Sequence, residues 1–177
     1  MIQLALDPWR IHAGPGEEAS LQGARADLER LVRLILGIEV DPRAVVRLQR
    51  TDVARATDRD LRRLRSRVAV CWDGARLVSH LSVLENLALP SRYHRHEADG
   101  PLRARCEATL ADHGRSALLH RPTWDLTPSE RHDVVWMRAA VQRPVAMLYQ
   151  PTGSRVELGV IRSLRGAGCA TVRLEVV

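Results

Sequence analysis

Residues 126–152 read LTPSERHDVVWMRAAVQRPVAMLYQPT, and they encode two kinds of structure in succession. Thr127 is a candidate helix N-cap, Pro128 falls at the first helical position, and Glu130 stands at the third. In that arrangement the hydroxyl accepts from the third N–H while the glutamate accepts from the N–H of the cap, a reciprocal capping box. Proline suits the first position because its missing N–H would have no partner inside the helix. The helix is expected from about 127 to 141. The apolar run 145–149 that follows is short enough for a buried strand. A helix over 154–165, stopped before Gly166, and a strand over 169–176 repeat the alternation. Strands alternating with helices predict an α/β domain with a mainly parallel sheet.

Further toward the N-terminus the signals are weaker. Residues 2–6 alternate as a strand would, and Gly14-Pro15-Gly16 marks a turn. Leu28, Leu31, Val32, Leu34, Ile35 and Leu36 give the stretch 24–36 an amphipathic helical pattern that Gly37 ends. A short strand is expected over 45–48, and Asp58 is placed to cap a helix running to Arg65. Residues 67–72 read as a buried strand, and Pro101 opens a helix over 101–113. The strands at 67–72, 145–149 and 169–176 are expected in the middle of the sheet.

With 177 residues, of which 45% are apolar, the chain suits one domain with a real core. No apolar run reaches the ~18 residues that a membrane-spanning helix needs. The first residues, MIQLALDPWRIH, lack the basic start and long apolar stretch of a signal peptide, so a cytoplasmic location is expected. Cys71, Cys106 and Cys169 form no CxxC pair and read as buried, reduced thiols. All 27 basic residues are arginine, and the net charge is +6. Such a balance suits an acidic partner, nucleic acid or an acidic lipid surface. Arg59, Arg62, Arg63, Arg65 and Arg67 are its one local concentration, which reads first as a solvated helix face.

Two stretches at this spacing, VAVCWDGARLVSHLSVLENLALP over 68–90 and the 126–152 segment, resemble signature regions of ABC-transporter ATPases. HLSVLENLALPSRYHR resembles the segment after the Q-loop in ATPases of phospholipid and MCE-type importers, or of the cell-division permease pair. The resemblance covers most of the chain. It implies a P-loop-NTPase-like sheet flanked by helices and short at both ends. It also implies one domain over 1–177, with a small helical subdomain over about 91–141.

The residues that such ATPases use for chemistry are replaced. The P-loop stretch is matched by GARADLER, 23–30, in which Gly23 remains and the lysine position falls on Leu28 or Glu29. A P-loop uses backbone N–H groups and a lysine to hold phosphate. Trp72 stands at the Q-loop glutamine, and an indole N–H donates only. The signature LSGGE becomes Leu126 to Glu130, where Pro128 has no N–H to give and Ser129 keeps one behind a side chain. At Walker B, Tyr149 replaces the aspartate and Gln150 the glutamate, and neither is an anionic metal ligand or base at neutral pH. The family's switch histidine would lie beyond the terminal strand.

What these replacements imply is a pseudo-ATPase with no catalytic residue, cofactor or metal. His94 and His96 could share a metal at i, i+2, but no third ligand is evident. In the family, the surface after the Q-loop receives a coupling helix of the membrane permease. It maps to residues 73–93, where Asp73, Arg76, His80, Glu85 and Tyr93 are the candidates to face a partner. The expected role is a non-catalytic subunit docking to a permease or an intact ATPase of a lipid-type transporter, with a homodimer also open. It would sit at the inner face of the membrane through its permease only. The alternative is an arginine-rich protein binding nucleic acid or acidic lipid without catalysis.

Overall fold

The computed structural model describes residues 1–72, 76–95 and 97–177. The chain forms eight strands and six α-helices among these residues: β1 (Ile2–Leu6), β2 (Trp9–Ala13), β3 (Glu18–Gly23), α1 (Arg25–Ile35), β4 (Val45–Leu48), β5 (Thr51–Asp52), α2 (Asp58–Arg65), β6 (Val68–Cys71), α3 (Val83–Arg95), α4 (Asp99–Asp112), α5 (Pro128–Gln142), β7 (Ala146–Tyr149), α6 (Arg155–Gly166) and β8 (Ala170–Val176). Short 3-10 turns at Val53–Arg55, Ser116–Leu118 and Thr123–Asp125 connect some of them.

β3, β8, β7 and β6 make a parallel sheet in that spatial order. The mainly parallel α/β core expected from 126–176 is therefore present. Its order differs from expectation in one respect: β7 and β8 are central, while the strand at 67–72 lies at the edge. Periodicity reports that a strand is buried on both faces, and an edge strand covered on both faces has the same periodicity.

Alternation along each strand divides the core in two. Ala69, Cys71, Met147 and Tyr149 turn toward α3, α4, α5 and α6. Val68, Ala146, Leu148, Ala170, Val172 and Leu174 turn the other way, toward α1 and a second sheet. That second sheet is antiparallel, with the order β2-β1-β4-β5. Its inner face carries Ile2, Leu4, Ile11, Val46 and Leu48, all buried. β2 and β3 gave little signal in the sequence because most of their residues are polar or small: WRIHA and EASLQG.

α5 organises the helical layer. Thr127 caps it as the sequence predicts, accepting from Glu130 N while Glu130 accepts from Thr127 N at 2.8 Å. Its Trp136 is 1% exposed and meets the Tyr149 ring edge-on, with centroids 5.6 Å apart. A second box opens α2, where Thr57 rather than Asp58 is the cap and Asp60 closes the box. The threonine keeps extended backbone, as a cap must, and leaves Asp58 as the first helical residue.

Candidate functional site

Ligands of open parallel sheets bind outside the carboxyl ends of the strands. Here those ends are Gly23 of β3, Cys71 of β6 with Trp72 after it, and Tyr149 of β7 with Gln150 after it. The first is the place for a phosphate cradle, and the structure builds none. β3 ends at Gly23, Ala24 serves as N-cap without a side-chain bond, and α1 begins at Arg25. A single residue replaces a loop. Leu28 is fully buried in the core, and Glu29 lies 3.8 Å from Arg25. Neither offers a cation to a phosphate. The Gly23 backbone does not need glycine either: an added Cβ would meet Trp9 and Leu28 at 3.6–3.7 Å, ordinary contact distances.

Beside this junction the Arg25 guanidinium lies over the Trp72 ring, 5.9 Å from its centroid. The arrangement is a cation–π stack. The indole Nε1 of Trp72 and the side-chain Oε1 of Gln150 are buried, without hydrogen bonds among the described residues. Tyr149 is 3% exposed and donates its hydroxyl to Glu18 of β3 at 2.7 Å. Burial, and then the Glu18 carboxylate, push its pKa well above the ordinary tyrosine value. Tyr149 is thus held as a neutral phenol, with its one proton committed inside the protein. After β7, Thr152 N and Gly153 N both donate to the buried Glu157 at 2.8 Å, which fixes the PTG turn.

Next to these strand ends opens a cleft of about 490 Å³. Trp72 and Gln150 form its floor, Arg76, Leu77 and Ser79 one wall, and Trp124, Pro128, Arg131, His132 and Trp136 the other. Trp124 stands at its rim, 70% exposed. No acidic residue lines it among the described residues, whereas Arg76, Arg131 and His132 do. Its first wall is held from behind. The Asn86 side chain, fully buried, accepts from Val78 N at 2.8 Å and donates to the carbonyls of Val78, Leu81 and Ser82. The Thr123 hydroxyl lies within hydrogen-bond distance of the Val78, Ser79 and Leu81 carbonyls, 3.1–3.2 Å away.

The partner-facing candidates fall in different places. Arg76 lines the cleft and its side chain is exposed. His80 is exposed in the turn that follows Ser79. Glu85 is exposed, but its carboxylate accepts from the N–H and hydroxyl of Ser82, each at 2.7 Å, so it caps α3. Those bonds hold its pKa below the ordinary glutamate value. Tyr93 is 74% exposed near the far end of α3, edge-on to His94. Asp73 and His96 lie outside the described residues. Ser129 is exposed in the first turn of α5. Trp124, Asn86 and Thr123 escaped the sequence reading. The 3-10 turn that carries Trp124 and Thr123 has no periodicity to betray it, although a lone asparagine in an apolar helix was a visible cue.

Comparison with known proteins places this arrangement. The dimeric bacterial ABC transporter cassette MJ0796 superposes with a TM-score of 0.81 at 17% identity, over 99% of this chain and 88% of that one. The cbiO1 protein of Clostridium perfringens, part of the ABC transporter complex cbiONQ, gives 0.77 at 13% identity, over 99% of this chain and 77% of that one. In sequence, the cell division ATP-binding protein FtsE of Escherichia coli K12 is 28% identical over 152 residues, 85% of this chain and 68% of FtsE. The chain has the fold of an ABC-transporter ATP-binding cassette. No protein-family model matches it. The cassette likeness therefore rests on fold, on order of parts and on the FtsE relationship. Among the described residues, no helix of this cassette-like chain is long and apolar enough to cross a membrane.

Proposed function

We propose that this cassette-like chain is a non-catalytic subunit that docks to the permease, or to an intact ATPase, of a lipid-type ABC transporter. The observation that carries the reading is the junction at Gly23-Ala24-Arg25. A strand that passes into a helix through one residue has no loop of N–H groups to wrap a phosphate chain. The chain also has no lysine, and Tyr149 spends its hydroxyl on Glu18. Metal-assisted phosphoryl transfer needs a cradle, a cation and a carboxylate for magnesium. All three are replaced.

The docking side is built with more care. Asn86 and Thr123 spend buried hydrogen bonds on holding 78–82 in place, and they thereby shape a cleft with an exposed tryptophan at its rim. An exposed aromatic beside a basic, partly apolar cleft is the composition of a protein interface. Its charge fits a partner helix that brings apolar side chains and a carboxylate. The FtsE relationship and the cbiO1 likeness, the latter part of a transporter complex by its name, favour a permease-containing assembly.

The test is affinity capture from membranes of the native host. The reading expects a multi-spanning permease or an intact ABC ATPase in the captured fraction. It also expects that partner to be lost with Trp124→Ala and with Arg76→Glu while the melting temperature stays within about 2 °C, since exposed substitutions rarely move stability by more than about 0.5 kcal/mol. Capture that is indifferent to both substitutions would place the partner elsewhere and overturn the assignment of the cleft.

A further inference from the structure

The charge of this protein is not spread over it. Residues 47–67 hold eight arginines and three aspartates, five of the chain's six net positive charges. Elsewhere, many arginines have partners: Arg30 with Glu39 and Asp41, Arg105 with Glu97, Arg115 with Asp133, Arg121 with Asp125 and Glu130. Of the eight arginines in 47–67, only Arg65 has a side-chain hydrogen bond among the described residues, to the carbonyls of Leu36 and Gly37 at 2.8–2.9 Å. The other seven make no ion pair there, and all but Arg67 are exposed.

Geometry gathers several of them. On α2, Leu61 and Leu64 turn inward, so Arg59, Arg62 and Arg63 fall on the opposite face at helical spacing. A groove of about 150 Å³ joins this helix to the β4–β5 turn, lined by Gln49, Thr51, Asp60, Arg63 and Arg67. Arg50 sits in that turn, exposed. Asp60 is committed to the Thr57 capping box and makes no ion pair among the described residues; the Thr57 bonds, and then the nearby Arg59 and Arg63 charges, hold its pKa below the ordinary aspartate value, so it offsets only part of their charge. Favourable charge at a helix C-terminus accounts for a basic last turn. It does not account for Arg50 in the hairpin or Arg59 in the first turn.

We infer that this face, α2 with the β4–β5 turn, binds the phosphate backbone of double-stranded nucleic acid without reading its sequence. Guanidinium groups match phosphate oxygens two at a time, which ammonium groups do not. Residues 47–67 contain no aromatic side chain, so there is no platform on which unpaired bases could stack. They contain none of the chain's exposed large hydrophobics, so nothing there would enter the acyl region of a membrane. Position agrees. The Pro128 end of α5 lines the docking cleft, and its Gln142 end donates to Ser66 and Val68 beside Arg67. Fifteen residues of helix, about 22 Å, separate the two. If the cleft faces a permease, as proposed above, the arginine face looks away from the membrane; only this positional argument rests on that reading.

The experiment is fluorescence anisotropy of a labelled duplex of about 20 base pairs with arbitrary sequence, over about 50–200 mM salt. Wild type is expected to bind at the low end, with log Kd linear in log salt. Arg59→Gln/Arg63→Gln is expected to weaken binding at least tenfold and to lower the salt slope by about 1.8, two released counterions at about 0.9 each. Arg155→Gln/Arg162→Gln removes the same charge from exposed arginines of α6 that make no ion pair among the described residues, and is expected to leave the slope unchanged. Equal loss in both double variants would show only net charge at work and overturn the assignment to this face. Absence of duplex binding at 50 mM salt would also overturn it. So would vesicles one-third phosphatidylglycerol that bind as tightly as the duplex and displace it. Capture of a permease does not depend on any of these results, so the two readings fail separately.

Discussion

At the scale of single residues, buried groups carry the most direct consequences. Cys71, Cys106 and Cys169 are free thiols, all buried. Burial pushes Cys71 and Cys169 up to about 12 and Cys106 up to about 11. A thiol is an acid, and its folded pKa lies above its unfolded value near 9.0. The native state therefore holds these protons longer than the unfolded chain does. Their contribution to stability is full below pH 9 and falls as pH rises from there toward 11 and 12. The slope approaches about 1.4 kcal/mol per pH unit for each thiol. Urea titrations at pH 8, 9.5 and 10.5 should show this decline, and Cys71→Ala should remove about one thiol's share of it. Glycines separate equally clearly. Gly37 sits at φ +61 with Leu61 Cδ2 only 2.6 Å from an added Cβ, so Gly37→Ala is expected to cost more than about 1 kcal/mol. Gly23→Ala, at ordinary contact distances, is expected to stay within about 0.5 kcal/mol.

At the scale of elements, what could be read from sequence and what could not follow one physical line. Elements that carry their own signal were legible. Thr127, Pro128 and Glu130 announce α5, and the apolar face ending at Gly37 announces α1. β2 and β3 announce nothing, because a strand on the edge of its sheet, with a polar outer face, has too few apolar residues to alternate. The residues at the positions that the resemblance singles out were legible, but their partners in the fold were not. The Tyr149–Glu18 bond spans 131 positions of sequence, and the Asn86 clamp serves a loop rather than its own helix. Glu85 shows the same limit: exposed and charged, it is spent on its helix cap. Glu85→Ala is therefore expected to cost about 1 kcal/mol through the cap. Asn86→Ala should cost about 3 kcal/mol, because the clamp's backbone groups lose their partners inside the protein. Chemical denaturation orders the two, and in the Asn86 variant the Trp124 fluorescence should report a loosened rim before global unfolding.

At the scale of the whole molecule, one sheet separates three surfaces with different fates. The carboxyl end of β3 passes into α1 through a one-residue junction, with an Arg25–Trp72 stack beside it, and Tyr149 at the end of β7 is bonded to Glu18, while Trp72 and Gln150 floor the neighbouring cleft. That cleft is open, basic and rimmed by Trp124. The far end of α5 leads to an arginine face that carries most of the net charge. Restoring two acids with Tyr149→Asp/Gln150→Glu is expected to yield no turnover, since neither a cradle nor a lysine returns with them; a malachite-green phosphate assay checks this. The central claim, a cassette fold emptied of its nucleotide chemistry, is tested most directly by calorimetric titration of the purified protein with ATP and magnesium, with phosphate release followed in the same samples. The account predicts no saturable heat at sub-millimolar nucleotide and phosphate release at the buffer rate. A saturable magnesium-dependent isotherm in the micromolar range, or turnover that a Trp72 or Gln150 substitution abolishes, would contradict it.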